Sequence, residues 1–350
     1  MYKMKKKEYT VAVVGAGVVG EEMLRVLHQR NFPMGELRVF ARSARNIQVD
    51  GQAYSVQPIT PEGFKGVDIA LFAGTEGEKG AAVTYAPEAV KRGVIVIDNG
   101  ADFRMDPHVP LVVPEVNGKD ARKNKGIIAN PNCSTIQMVV ALWPIYKKVG
   151  IKRIIVTTLQ ASSGAGRGAV EQLFNETKEI MNQRDAGSLI LDSGKNPVSR
   201  AMPQQLAFNI FPHIGSFTEG DYTNEEWKLV KETHKIMHDE KIRISATTVR
   251  VPVRTGHSES VYIETKEPIT PDKVRELLKK APGVVVIDDP KKNLYPMPKD
   301  VEGKDETFVG RIRQDCFVKN GLWLWVVADN LRKGAATNAV QIAEELIKQG

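Results

Sequence analysis

The chain has 350 residues, 42% of them hydrophobic and 26% charged, with a formal charge of +7. That length exceeds one simple core and predicts about two domains of ordinary globular composition. No apolar run approaches the ~20 residues that span a bilayer, and the basic residues are scattered without an aromatic stripe, which argues against a nucleic-acid surface. A mild positive field instead suits anionic small molecules.

Met1 to Lys7 is basic but has no apolar stretch behind it, so it reads as a leader to the first strand and not as a secretory signal. Thr10 to Gly15 is apolar and β-branched and predicts a strand. Glu21 to Gln29 reads as a helix, Leu37 to Ala41 as a second strand, and Val67 to Phe72 and Val94 to Asp98 as buried strands around a helix over Ala81 to Arg92. Strands alternating with helices predict a parallel, doubly wound α/β sheet. Gly126 to Ala129 is strand-like and Ile136 to Tyr146 helix-like. Beyond them the pattern changes. Arg153 to Gln160 predicts a strand, and Ala169 to Met181 and Thr223 to Met237 predict helices. Arg243 to Arg250, Ser258 to Thr265, Thr307 to Arg313 and Leu322 to Ala328 predict long strands with few helices between them, the mark of a mixed or antiparallel sheet in an α+β domain. The charged stretch from Asp288 to Asp305 is read as an exposed excursion. Gly334 to Lys348 predicts a last helix. The resulting division is a dinucleotide-binding domain over 1–132, with 334–350 packing back on it, and a second domain over 133–333.

Gly15-Ala16-Gly17-Val18-Val19-Gly20 matches G-x-G-x-x-G between a strand and a helix. Glycines there let backbone N–H groups approach a pyrophosphate at the helix start. The end of the second strand reads Phe40-Ala41-Arg42-Ser43-Ala44-Arg45. It lacks the carboxylate that holds a ribose 2′-hydroxyl in NAD sites. Arg42 and Ser43 suit a 2′-phosphate, so NADP is favoured over NAD.

Cys133 lies in Asn130-Pro131-Asn132-Cys133-Ser134-Thr135, between a strand-like and a helix-like segment. At a helix N-terminus, unpaired N–H groups and the dipole favour a thiolate and steady an oxyanion. The other cysteine, Cys316, reads as a packed or surface thiol. Two cysteines make no disulfide framework and fit a reducing cytoplasm. Of six histidines, His28 reads as structural. His234 and His238 share a helix face without the H-E-x-x-H zinc pattern, and no metal is expected. His257, after Thr255-Gly256 and before a β-rich run, is the candidate acid–base group.

With these residues in view the chain resembles the aspartate-β-semialdehyde dehydrogenase family along nearly its whole length. The matching segments are Asp98 to Arg104, Val112 to Asn117, Pro131 to Thr135, Gln160 to Gly166, Tyr222 to Lys228, Arg250 to Ser258 and Asp329 to Ala336. The glycine loop is one residue shorter than the family's Gly-Ala-Thr-Gly-x-Val-Gly. Gly100 stands where the family often has Thr or Ser. The resemblance implies a glyceraldehyde-3-phosphate-dehydrogenase-like architecture and a homodimer or homotetramer with its interface on the second domain. It implies NADP-dependent interconversion of aspartate semialdehyde and phosphate with aspartyl-β-phosphate, feeding lysine, threonine, methionine and isoleucine synthesis.

It also implies roles. Cys133 is the nucleophile, a thiol that serves both as attacking and as leaving group. His257 is the base and Gln160 orients the acyl oxygen. Arg250 takes the α-carboxylate and Glu225 the ammonium. Arg104 and Lys228 take phosphate, and Asn132 assists at the phosphate or nicotinamide. Ser163, Gly164 and Asn330 join the glycine loop at the cofactor. The competing readings are an N-acetyl-glutamyl-phosphate or malonyl-thioester reductase, whose substrates lack a free amine for Glu225, and a non-catalytic NADP-binding protein.

Overall fold

The computed structural model describes residues 6–73, 80–182 and 201–348. Most of the basic leader lies outside them. In chain order the first part contains β1 (Tyr9–Val14), α1 (Val18–Gln29), β2 (Met34–Ala41), β3 (Arg45–Val49), β4 (Gln52–Pro58), β5 (Ile69–Phe72), α2 (Ala81–Lys91), β6 (Ile95–Asp98), the short α3 (Pro114–Asn117), β7 (Ile127–Ala129) and α4 (Cys133–Val149). There follow β8 (Ile151–Gln160), α5 (Arg167–Asn182), α6 (Asn224–Met237), β9 (Arg243–Arg250), β10 (His257–Thr265), α7 (Pro271–Leu278), β11 (Val284–Val286), the short α8 (Pro298–Val301), β12 (Thr307–Gln314), β13 (Gly321–Ala328) and α9 (Thr337–Lys348). The chain forms two units: Met1–Trp143 with Lys231–Lys241 and Leu331–Gly350, and Pro144–Val230 with Ile242–Asn330. Among the described residues no helix is long and apolar enough to cross a membrane.

The first unit is built on a seven-stranded sheet ordered β3-β4-β2-β1-β5-β6-β7. Alternation along its strands produces two cores, because successive side chains leave a strand on opposite faces. Val11 and Val13 of β1, Ile69 and Leu71 of β5, and Ile95 and Ile97 of β6 join Met23, Leu24 and Leu27 of α1 and Val340, Ile342 and Ala343 of α9. Ala12 and Val14, Ala70 and Phe72, and Val96 join Phe64 and the alanines of α2 on the other face. Strands buried on both sides are what a parallel sheet requires, and the pairs β1/β2, β1/β5, β5/β6 and β6/β7 are parallel. The departure from a purely parallel sheet is β3, antiparallel to β4. Asp50 (φ 51°) and Gly51 (φ 82°) turn that hairpin, the Asp-Gly pair of a tight two-residue loop.

The second unit carries a six-stranded mixed sheet ordered β11-β12-β13-β10-β8-β9. Its central pairs β8/β10, β10/β13 and β12/β13 are antiparallel, while β8/β9 and β11/β12 run parallel. The expectation that Asp288 to Asp305 is an exposed excursion is corrected at its start. The Asp288 carboxylate is 1% exposed and paired with Arg275 at 2.7 Å. It also accepts the amides of Arg311 and Ile312. A buried carboxylate needs such donors, so Asp288 pins the stretch to α7 and β12 where composition suggested a loose loop.

In the first unit Lys333 is fully buried, in a wide turn ahead of α9. Its ammonium donates to both Glu115 oxygens at 2.8 and 2.7 Å, to Asn338 Oδ1 at 3.0 Å and to Gln341 Oε1 at 2.7 Å. Burial pushes the Glu115 carboxyl up, but the Lys333 charge and hydrogen bonds outweigh it and hold the group below its ordinary range. Glu115→Ala strands the ammonium, a change that costs about 3–5 kcal/mol. Urea unfolding of the variant is expected to show a lowered midpoint, and an unchanged midpoint counts against this pair as a tie between α3 and the turn ahead of α9.

Candidate active site

The strand-to-helix turn around Cys133 belongs to the first unit. The Asn130 amide donates to the Asp98 carbonyl at 2.7 Å and so continues the β6/β7 pairing. Cys133 is the first residue of α4 and is half-buried. The helix starts three residues before the apolar periodicity at Ile136, because Asn132 caps it. Its Oδ1 accepts the amides of Ser134 at 3.0 Å and Thr135 at 3.3 Å, the ordinary work of an N-cap asparagine. Thus part of the Asn132 side chain is occupied in shaping the turn.

Arg104 is 5% exposed. Its Nε donates to the Asn130 carbonyl at 2.9 Å, Nη2 to the Asn99 carbonyl at 2.8 Å and Nη1 to Glu232 Oε1 at 3.0 Å. The other Glu232 oxygen accepts the backbone N–H of Asn132 at 2.7 Å. Lys235 then fixes the 104–109 segment by donating to the carbonyls of Arg104, Asp106 and Val109 at 2.7, 2.7 and 2.8 Å. Glu232 was not found by sequence reasoning. Its spacing of four from Lys228 puts both on one stripe of α6, but that spacing points to neither Arg104 nor Asn132.

The glycine loop also belongs to the first unit. Gly15 takes φ 105°. A Cβ on Gly20 would lie 1.7 Å from the Gly15 carbonyl oxygen, so only glycine lets α1 close on the end of β1. Gly17 has open space where a Cβ would stand and precedes α1 with no side-chain cap. The loop therefore leaves room and backbone donors for a pyrophosphate, with Ala16 between the glycines and Val18 and Val19 in the first turn. Arg45 donates to the Ala16 carbonyl at 3.0 Å and steadies the loop from β3. Arg42 and Ser43 are exposed just past the end of β2.

In the second unit the strand register gathers the remaining candidates. Gln160 and Arg250 end β8 and β9 as partners in the parallel ladder. His257 opens β10, whose next residue, Ser258, pairs with Leu159. Three side chains thus come to one end of the sheet. The Ala161 amide donates to His257 Nδ1 at 3.0 Å, and the Ala161 carbonyl accepts from Arg250 Nη1. A backbone N–H facing Nδ1 places the proton of the neutral ring on Nε2. Burial, then the Arg250 charge, push the His257 pKa well below its usual 6.5. Gly164 leaves room for this ring, since a Cβ there would stand 3.1 Å from it. Asn330 accepts the Gly256 amide at 2.9 Å and donates to Ser163 Oγ at 3.0 Å, joining the loops on either side of His257.

The start of α6 completes this group. Thr223 and Glu226 form a reciprocal capping box, with the Thr223 amide on Glu226 Oε2 at 2.8 Å and the Glu226 amide on Thr223 Oγ1 at 3.3 Å. That fixes the helix so that Glu225, 7% exposed, accepts from Gln160 Nε2 and from Lys228 Nζ, both at 3.3 Å. Among the described residues no cluster of His, Cys, Asp or Glu suits a metal ion.

Two family descriptions match the chain: "Semialdehyde dehydrogenase, NAD binding domain" over residues 10–124 and "Semialdehyde dehydrogenase, dimerisation domain" over residues 142–333. The chain is 55% identical to the aspartate-semialdehyde dehydrogenase of Aquifex aeolicus, covering 98% of this chain and 99% of the relative. It is 52% identical to that of Bacillus subtilis, covering 97% of each. Among solved structures it is similar to aspartate semialdehyde dehydrogenase II of Vibrio cholerae complexed with ASA, with a TM-score of 0.89 and 43% identity over 98% of this chain and 99% of the other. It is also similar to aspartate semialdehyde dehydrogenase with NADP from Candida albicans, with a TM-score of 0.71 and 25% identity over 97% and 98%.

A buried imidazole with a depressed pKa binds its proton more weakly folded than unfolded. Its contribution to stability is therefore full above about pH 6.5 and declines as the pH falls through the folded value. An NMR titration of the His257 ring is expected to place its midpoint below 6.5. A ring that titrates at or above that value contradicts the neutral assignment.

Proposed function

From the premise that this chain belongs to the aspartate-semialdehyde dehydrogenase family, oxidoreductases of amino-acid biosynthesis, we propose a cysteine-thioester mechanism with NADP as the preferred cofactor. In the biosynthetic direction aspartyl-β-phosphate is reduced to aspartate β-semialdehyde and phosphate. The observation that carries this reading is Cys133 at the first position of α4, directly after its capping asparagine.

In the oxidative direction the Cys133 thiolate adds to the aldehyde carbon and forms a thiohemiacetal alkoxide. His257 meets that oxygen as a neutral ring, donating from Nε2, and the Gln160 amide orients it. An alkoxide stabilised by donors needs no proton removed before hydride leaves. The residues Gly15, Ala16, Gly17, Val18, Val19 and Gly20, with Arg42 and Ser43 at a 2′-phosphate and Ser163, Gly164 and Asn330 in support, would hold the cofactor, whose nicotinamide supplies the hydride acceptor or donor. Loss of hydride from the alkoxide leaves the thioester on Cys133. Phosphate, met by Arg104 and Lys228, then attacks the thioester carbon. It forms the acyl phosphate, releases the thiolate and gives up its hydroxyl proton to solvent water. Arg250 takes the substrate α-carboxylate and Glu225 its ammonium, while Asn132 shapes the turn that presents the sulfur.

The supporting features for NADP are the two groups after β2 and the absence of a carboxylate among Phe40 to Arg45. Pairing of two copies through the second unit fits the matched dimerisation domain. A cytoplasmic setting fits two free cysteines.

The direct test is reduction of NADP with aspartate semialdehyde, with and without phosphate. Native protein is expected to turn over only with phosphate present, and Cys133→Ser to lose at least about 10³-fold in kcat. Equal turnover by the serine variant overturns the thioester route. In the same assay Glu225→Ala is expected to raise KM for the semialdehyde by roughly ten-fold, and an unchanged KM removes Glu225 from the ammonium.

A further inference from the structure

We infer that Glu232 is a positioning residue for the nucleophile, acting through Asn132 and Arg104; the inference rests on the reading of Cys133 as the attacking group. Glu232 is 1% exposed. A carboxylate so placed is costly unless its oxygens are matched by donors. The donors it has are the Arg104 guanidinium on one oxygen and the Asn132 peptide N–H on the other.

Those two bonds close a frame around residues 130–132. Arg104, anchored on Glu232, holds the Asn130 carbonyl at 2.9 Å. The Asn130 side chain accepts from Asn338 Nδ2 at 2.7 Å. Pro131 restricts the backbone between them. Glu232 itself holds the Asn132 amide, and Asn132 caps the helix whose first residue carries the sulfur. Each position immediately before Cys133 is thus fixed, and Glu232 touches both ends of the frame. Glu232 also balances the Arg104 charge beside the turn. Removing one negative charge beside the turn favours a thiolate electrostatically, while the loosened turn aims that thiolate less well. Charge and position are therefore read out in opposite directions.

The experiment uses Glu232→Gln in a Cys316→Ser background, so that alkylation by iodoacetamide reports Cys133. The pH midpoint of alkylation is expected to move down by roughly half a unit or more. In the same protein kcat with aspartate semialdehyde, NADP and phosphate is expected to fall at least about ten-fold, because misplacing a reacting atom costs rate steeply. KM for the semialdehyde stays within about two-fold, since its proposed anchors Glu225 and Arg250 are not bonded to Glu232. An alkylation midpoint or a kcat that matches the parent overturns the inference, as a purely structural role moves neither selectively. If the parent itself shows no turnover with the semialdehyde, the substrate reading has failed, and the alkylation profile alone decides the role of Glu232. Should Glu232→Gln not fold, Glu232→Asp, which keeps the charge and withdraws it by one methylene, is read for the same loss of kcat. Insolubility of both variants assigns the carboxylate to folding alone and overturns the proposal.

Discussion

A helix that begins directly after a strand leaves its first amides without carbonyl partners, and this chain meets that constraint at Asn132. The asparagine side chain takes the amides of Ser134 and Thr135. Its own peptide N–H is taken by a carboxylate from α6. Cys133 is left at the head of the helix, where dipole and backbone favour negative charge. The glycine loop resolves the same constraint in the opposite way. Ahead of α1 no side chain supplies a cap, and the first amides stay available for an anion. One protein therefore uses both capped and uncapped helix starts, one fixing the turn that carries a cysteine and the other leaving its first turn without a side-chain cap.

In the second unit the organising constraint is register. Parallel pairing of β8 with β9 makes Gln160 and Arg250 neighbours, and antiparallel pairing of β10 brings His257 to the same end. Ala161, next after Gln160, then serves two of them at once through its amide and its carbonyl. The cost of burying an imidazole beside a guanidinium is limited because the ring stays neutral. A neutral ring with its proton on Nε2 is a donor. Under the proposed mechanism that donor meets the growing oxyanion.

The outline of both units was legible because period-two burial on both faces is written into Val11 to Val14, Ile69 to Phe72 and Ile95 to Asp98. The β3/β4 hairpin was missed, although Asp50-Gly51 is a strong turn signal, because its strands are half-exposed and carry little apolar pattern. The start of α4 was placed late, since hydrophobic periodicity begins at Ile136 while the cap sets the true beginning. At the site, Cys133 and the glycine loop could be read from local sequence, while the roles of Glu225 and Lys228 came only with the family resemblance. Glu232 could not, because its meaning lies in contacts with Arg104 and Asn132, 128 and 100 residues away in sequence. The return of 231–241 to the first unit has the same cause: α6 shows one continuous helical pattern, and nothing local marks where its packing partners change.

The most direct measurement is to trap the covalent intermediate. Native protein is mixed with aspartate semialdehyde and NADP in the absence of phosphate, quenched in acid, digested and weighed by mass spectrometry. One aspartyl group, sensitive to hydroxylamine, is expected on the peptide that contains Cys133, and it disappears when phosphate is added before the quench. A peptide that remains unmodified, or acylation at Cys316 in its place, would contradict the thioester route.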